Sequence, residues 1–408
     1  METVFLIKNR KKKCGNLMDI KRIQKALKRQ RLDGWLLYDF QGMNIIAVRL
    51  LKLPEHVKNT RRYFYFIPAE GTPRKLVHRI EAGNLDSLPG EKTTYLSWQS
   101  LGEGIKNITE GANTIAMEFS QHNAIPYVAR VDAGTVDLLR FIGKDVVSSA
   151  NLIQEFEATL TNEQIESHLT AAKQIRQFIF NAFDEIHARL VKCGEVKEYA
   201  IQHFLLRRLE EHNLITHNPP IVAVNANAGN PHYRPYKNSS DTIRKDNLVL
   251  IDLVAKLPMP KSVFADITWM AYTGEHIPDE YVKTFSIASQ ARDTAFKLVS
   301  DRFADGKPIE GWEVDDAARA VIRNAGYGEF FIHRTGHSIG EDIHGNGANM
   351  DNLETHDDRR ILPRTCFSIE PGIYTDTYGI RTEIDVLITP EREAQCTGGD
   401  PQKEIVTI

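Results

Sequence analysis

Two aspartates stand where charge is costly. In Leu248–Thr268, LVLIDLVAKLPMPKSVFADIT, Asp252 and Asp266 each sit alone among Val, Ile, Leu and Phe. The two apolar runs flank a tip containing Lys and Pro, which predicts a β-hairpin. Withdrawing even a neutral polar group from water without a partner costs about 2–7 kcal/mol, and a carboxylate costs more. Two carboxylates on adjacent strands also repel each other unless a cation lies between them. The hairpin therefore asks for a metal ion, and for further ligands elsewhere in the chain.

Four other stretches offer them. His333–Gly345, HRTGHSIGEDIHG, places His333, His337 and His344 among glycines, whose backbone freedom allows close approach to a ligand. Phe367–Tyr374, FSIEPGIY, carries Glu370 in an apolar strand before a Pro-Gly turn. In Tyr378–Thr389, YGIRTEIDVLIT, alternation puts Arg381, Glu383 and Asp385 on one face, expected to be polar and solvated, with Ile384 and Val386 on the other. Pro231–Pro235, PHYRP, presents His232 on a tight turn. Taken singly, each histidine reads equally well as a polar loop residue, and each glutamate as a salt-bridged strand residue. Together, Asp252, Asp266, His337, Glu370 and Glu383 would form an oxygen-rich site with one imidazole. Four negative charges are too many for one divalent ion but suit two, with two of the carboxylates bridging. Such ligands favour Mn, Fe or Co as well as Zn, and disfavour a cysteine-type structural zinc site.

The elements that must position these residues follow from periodicity and punctuation. From about residue 18 the chain reads as an α/β unit: a helix at Ile20–Gln30, strands at Gly34–Tyr38, Arg62–Ile67 and Thr114–Phe119, a helix over Asp132–Phe141 and a strand at Asp145–Ser148. A boundary falls near Phe156–Thr161, which predicts domains at 18–157 and 158–408. Thr161 is a candidate N-cap for a long helix over Asn162–Arg189, followed by a helix near Glu195–His212. A proline-rich connection contains a short strand, Ile221–Val224, ahead of the hairpin. Helices follow at Asp279–Phe303 and Glu313–Ala325, and the end of the chain is β-rich, so this half is α+β.

Composition narrows the function classes. A net charge of -3 over 408 residues lacks the basic footprint of a general nucleic-acid or membrane-surface binder. No run approaches the roughly 18–20 apolar residues that span a bilayer. The four cysteines are scattered without CxxC spacing, as expected of reduced thiols in a cytoplasmic protein. Residues 1–17, with the basic run Lys8–Lys13, read as a disordered tail.

The order Asp, Asp, His, Glu, Glu within LVLIDLVA…SVFADIT, RTGHSIG, FSIEPGIY and GIRTEIDV resembles the pita-bread metallopeptidases, from about Leu160 to the C-terminus. The preceding α/β domain and the PHY turn are similar to the Xaa-Pro branch, the prolidases and aminopeptidases P. The resemblance implies an α/β N-terminal domain of the creatinase type plus an α+β pita-bread catalytic domain. It implies two divalent ions, manganese first, with Zn, Co or Fe as alternatives. Asp252 would chelate one ion, His337 and Glu370 the other, and Asp266 and Glu383 would bridge. His232 and His344 would contact the substrate carbonyl and the tetrahedral intermediate, His333 would line the proline side of the pocket, and Arg381 would stand beside the last ligand. The nucleophile would be a metal-bridging hydroxide, its pKa lowered toward about 7, with Glu370 as proton shuttle. The substrates would be di- or short peptides with proline after the first residue, and the assembly a homodimer. An ectoine-hydrolase-like amidohydrolase on the same fold is the alternative, and a non-catalytic binding protein a more remote one. The KLPMPK tip and the GNGANMDNLETHDDRR stretch depart from the shorter segments of many relatives, so dipeptidase or aminopeptidase preference stays open.

Overall fold

A computed structural model describes residues 19–53 and 59–408, and the basic tail lies outside the described residues. The chain divides into two compact units, one taking Val128–Leu152 and the described residues up to Asn123, the other Ala124–Tyr127 and Ile153–Ile408.

The first unit alternates helix and strand: α1 (Ile20–Gln30), β1 (Gly34–Asp39), α2 (Ile45–Leu51), β2 (Tyr63–Pro68), β3 (Arg74–His78), β4 (Glu91–Tyr95), α3 (Trp98–Ile108), β5 (Thr114–Met117), α4 (Ala133–Phe141) and β6 (Asp145–Ser148). Its six strands form one mixed sheet in the order β4-β3-β2-β1-β5-β6. Leu36, Phe64, Phe66 and Ile115 on the strands pack with Leu101, Ile105 and Leu139 on the helices. Glu118, wholly buried, accepts from Trp35 Nε1 at 2.7 Å, Asn44 Nδ2 at 2.8 Å and Ser149 Oγ at 3.0 Å. Burial raises the pKa of this carboxyl, against those three hydrogen bonds.

α5 (Ala150–Glu157) carries the chain into the main part of the second unit, where α6 (Asn162–Cys193) follows. Thr161 and Gln164 close a capping box at its start, and Gly194, with φ 78°, ends it in the left-handed region. Ala171, Ile175, Phe178, Ile179, Ala182, Phe183 and Ile186 recur at helical spacing and supply its buried face. Next come β7 (Glu195–Lys197), α7 (Glu198–Glu211), β8 (Ile221–Val224), β9 (Thr242–Arg244), β10 (Leu248–Ala255), β11 (Ala265–Tyr272), α8 (Asp279–Ala304) and α9 (Gly311–Asn324). The remainder is β12 (Ser338–Ile339), β13 (Cys366–Ile369), β14 (Gly372–Tyr374), β15 (Gly379–Arg381), β16 (Ile384–Ile388), β17 (Ala394–Cys396) and β18 (Val406–Thr407).

This unit is built from two helix-on-sheet halves. α6 and α7 share a core with the sheet β18-β11-β10-β8, through Ile175, Phe183, Leu205, Ile251 and Ile267. α8 and α9 share another with the sheet β12-β13-β16-β17, through Val299, Val314, Ile322, Phe367 and Val386. Apolar helix stripes thus cover one face of each sheet, a layered way of removing both from water. The architecture of this unit is the pita-bread fold, and the α/β unit precedes it along the chain.

Candidate metal centre

The antiparallel pair β10–β11 sets Asp252 opposite Thr268 and Val254 opposite Asp266. Asp252 and Asp266 therefore project from the same face as diagonal neighbours. The backbone N–H of Asp266 donates to Asp385 Oδ2 at 2.8 Å, and Thr268 Oγ1 donates to Glu383 Oε2 at 2.7 Å, which ties β11 to the β16 region. The histidine-bearing segment is held from α9. Asp315, fully buried, accepts from the backbone N–H and hydroxyl of Thr335 at 2.8 and 2.7 Å, and Arg319 donates to the His333 carbonyl at 2.9 Å. Gly336 is required by contact: a Cβ there would lie 1.9 Å from the Ser368 carbonyl oxygen. This approach lets His337 and Ser368 exchange hydrogen bonds, 3.0 Å from His337 N to Ser368 Oγ and 2.9 Å from Ser368 N to the His337 carbonyl. Ser368 Oγ in turn donates to Glu370 Oε1 at 3.0 Å.

The protonation of His337 follows from its partners. Nδ1 lies 3.2 Å from the Ser338 carbonyl, and because a carbonyl only accepts, Nδ1 carries the hydrogen. Burial, with the Arg334 charge adding to it, brings the ring's pKa down to about 3, so the ring is neutral at physiological pH. Nε2 therefore presents a lone pair, 3.4 Å from Glu370 Oε1 and 3.7 Å from Asp266 Oδ2. Asp266, His337 and Glu383 offer ligand atoms that all lie within 4.8 Å of one another. Burial first, and then the Glu383 and Asp252 charges, hold Asp266 well above the usual carboxylate range. Glu383 is raised in the same way, by burial and then by Glu370 and Asp252. Burial also raises Asp252, against the pull of Arg381. Lone pairs that face carboxylate oxygens, among carboxyls reluctant to ionise, make a donor set that a divalent cation would satisfy. The residues fit the metal that the resemblance implies.

The other expected residues surround this group. Arg381 donates through Nη2 to Asp252, through Nε to Thr268 Oγ1 at 3.0 Å and through Nη1 to the Tyr374 hydroxyl at 3.4 Å. His333 Nδ1 faces the Arg334 carbonyl at 2.6 Å, so Nε2 accepts from the Tyr374 hydroxyl at 2.7 Å. A continuous chain thus runs Asp252–Arg381–Tyr374–His333. The His344 ring meets the His337 ring edge to face, with centroids 4.4 Å apart. Partial burial first, and then the His337 and Arg334 charges, lower the His344 pKa to about 4. His232 is exposed, yet close enough to Asp252 to act on its charge.

One expectation is corrected. The face carrying Arg381, Glu383 and Asp385 is not solvated: the three are 4%, 4% and 0% exposed. Alternation continues through the sequence, but the strand does not. β15 pairs with β14 in a two-stranded ribbon, β16 pairs with β13 and β17, and Thr382 and Glu383 lie at the break. Three participants were not singled out from sequence: Thr268, Tyr374, and Asp385 as partner of the Asp266 amide. Tyr374 closes the FSIEPGIY stretch, where its hydroxyl was the available signal; Thr268 reads as an ordinary strand threonine.

Fold and site together define an α+β domain that gathers carboxylates and imidazoles into a buried centre suited to cations. The chain belongs to metallopeptidase family M24, whose model matches residues 167–390. It is similar to an Xaa-Pro dipeptidase of Lactobacillus helveticus, with 32% identity over 190 residues covering 46% of this chain and 47% of that protein. It is likewise similar to an Xaa-Pro dipeptidase of Lactobacillus delbrueckii subsp. lactis, with 33% identity over 42% of each chain. The chain thus spans about half the length of the curated relatives it matches. Among solved structures, the dipeptidase PepE of Mycobacterium ulcerans aligns with TM-score 0.66 at 19% identity, covering 95% of this chain and 96% of that one. A prolidase of Thermococcus sibiricus aligns with TM-score 0.59 at 21% identity, covering 95% and 98%. These likenesses carry the fold.

Proposed function

We propose that this protein hydrolyses the peptide bond between an N-terminal residue and a following proline, using two divalent metal ions. The observation that carries the reading is the neutral His337 Nε2, its lone pair turned toward Glu370 and Asp266 within the cluster completed by Glu383. The names of the curated relatives point to the Xaa-Pro substrate class. Asp252 would hold one ion, His337 and Glu370 the other, with Asp266 and Glu383 shared; manganese is the metal proposed. When bound, the ions would polarise the scissile carbonyl and supply a water acidic enough to attack near neutral pH.

The chain's own residues do the rest. Glu370 takes the proton of the attacking water and passes it to the departing proline nitrogen. His344, neutral near pH 7, or His232, on the connection between β8 and β9, donates a ring N–H to the developing oxyanion; a donor of this kind contributes about 3–4 kcal/mol elsewhere. His333, oriented by Tyr374, lines the side that receives proline. Arg381 braces Asp252 and keeps its carboxylate aimed at the centre. Proline has no amide hydrogen after acylation, so a site that works through carbonyl and leaving nitrogen needs no grip on one. We further propose a cytoplasmic homodimer; among the described residues no helix is long and apolar enough to cross a membrane.

The test compares Xaa-Pro dipeptides with Xaa-Pro-Yaa peptides, in metal-stripped and manganese-loaded protein. Cleavage of either only after loading is expected. No cleavage of either, with any divalent metal, would overturn the reading.

A further inference from the structure

Glu198, at the start of α7, is wholly buried and lies apart from the metal centre. Its carboxylate is saturated by four donors. The backbone N–H of Val224 and Asn227 Nδ2 lie 2.8 and 3.0 Å from Oε1, and the Tyr233 hydroxyl and the backbone N–H of Asp241 lie 2.6 and 2.7 Å from Oε2. These donors are not scattered. Val224 ends β8, Asp241 directly precedes β9, and Asn227 and Tyr233 lie on the connection between them. That connection carries His232, immediately before Tyr233.

A long connection without α-helix or strand, running from Asn225 to Asp241, would ordinarily sample many conformations. Here one buried side chain gathers both of its ends and its middle. Inside the loop, Asn230 Oδ1 accepts from the His232 N–H at 3.0 Å, and the Tyr233 N–H donates to the Asn230 carbonyl at 2.9 Å. The loop also lies close against the β14–β15 ribbon, since a Cβ on Gly229 would sit 2.4 Å from the Thr375 carbonyl oxygen. His232 is thus exposed at its ring and held at its backbone on both sides.

We infer that Glu198 is a positioning residue: through Tyr233 and the two loop ends it holds His232 at the metal centre. The inference rests on the proposed role of His232. It assigns the burial of Glu198 to the geometry of the reaction and not to the stability of α7 alone.

The test uses the full, manganese-loaded chain with the dipeptide Ala-Pro, and hydrogen exchange on the same proteins. Tyr233→Phe removes one hydrogen bond and keeps the ring. It is expected to lower kcat/KM by roughly tenfold to a hundredfold, the range that small misplacements of a catalytic group cause, with faster exchange confined to residues 225–241. Glu198→Gln should act in the same direction more strongly, and if it fails to fold, Tyr233→Phe still decides. In a His232→Ala background, Tyr233→Phe should cause no further loss. A repeated loss in that background would place its effect elsewhere and overturn the inference. An unchanged kcat/KM for Tyr233→Phe, where His232→Ala is impaired, would overturn the inference and leave the peptidase reading standing. A fully active His232→Ala would remove the role of His232 and the inference with it.

Discussion

Asp266 sits where burial, neighbouring charge and the His337 lone pair converge, so a single atom exchange there is informative. Asp266→Asn keeps the shape and the Asp385 hydrogen bond to the backbone but removes the anionic oxygens that face His337 and Glu383. It is expected to abolish hydrolysis and to weaken manganese binding by more than the roughly 10–100-fold typical of outer partners, read by titration calorimetry. Full activity in this variant would sink a centre in which Asp266 is shared. Thr268 is subtler. Its hydroxyl donates to Glu383 and accepts from Arg381 Nε, with no exposure to solvent. Thr268→Val keeps the volume and leaves both partners short of one bond, which should cost about 1–3 kcal/mol. Urea unfolding of metal-free protein should show a lower midpoint at unchanged slope. At this scale the clustered carboxylates were legible because a carboxylate among Val and Ile is conspicuous. Thr268 was not, since a threonine is at home in any strand.

At the scale of elements, the hairpin and the long helices were readable from their periodicity and caps, and the break between β15 and β16 was not. GIRTEIDVLIT alternates without interruption, and only the pairing of its two parts with different sheets turns a face expected to be wet into an interior. One tie of α6 to the hairpin was equally hidden, because it runs through a histidine far from the hairpin in sequence, beside the apolar core that the two share. His168 is wholly buried, with Nδ1 2.6 Å from the Phe264 carbonyl and Nε2 2.8 Å from Thr397 Oγ1. The carbonyl fixes the hydrogen on Nδ1, so Nε2 accepts from the threonine. Burial brings the His168 pKa from 6.5 down to about 4. With a folded pKa below the unfolded one, the neutral ring favours folding fully above about pH 6.5. That contribution is lost as pH falls from there toward 4, by on the order of 3 kcal/mol at most. His168→Gln should therefore be less stable than the parent at pH 7.5 but fall less between pH 7 and pH 4.5, as read by denaturant midpoints. Parallel declines in the two proteins would show that His168 does not titrate across that window.

In the second unit as a whole, each half has its own core, and the candidate centre lies where their segments meet. Asp252 and Asp266 come from β10 and β11 on one sheet, whereas His337, Glu370 and Glu383 border β12, β13 and β16 on the other. Direct ties between the halves include the Asp266–Asp385 and Thr268–Glu383 hydrogen bonds. Without a cation, the same meeting place brings together buried carboxyls, and burial first and then the opposition of their charges raise the pKa values of Asp266 and Glu383. Metal binding should thus act as a cross-link between two halves, and its effect should appear in the stability of the unit as well as in catalysis. A ligand that binds only the folded state at a hundred times its Kd adds about 2.7 kcal/mol. For a unit of this size each kcal/mol moves Tm by about 2–4 °C, so saturating manganese should raise the melting point of the stripped protein by roughly 5–10 °C. Calorimetry of the stripped, reloaded and Asp266→Asn proteins separates the causes. The rise should be present in the reloaded protein and nearly absent in the variant. An equal rise in both would mean that manganese stabilises the chain from some other place, and the link between the two sheets would have to be sought in the hydrogen bonds alone.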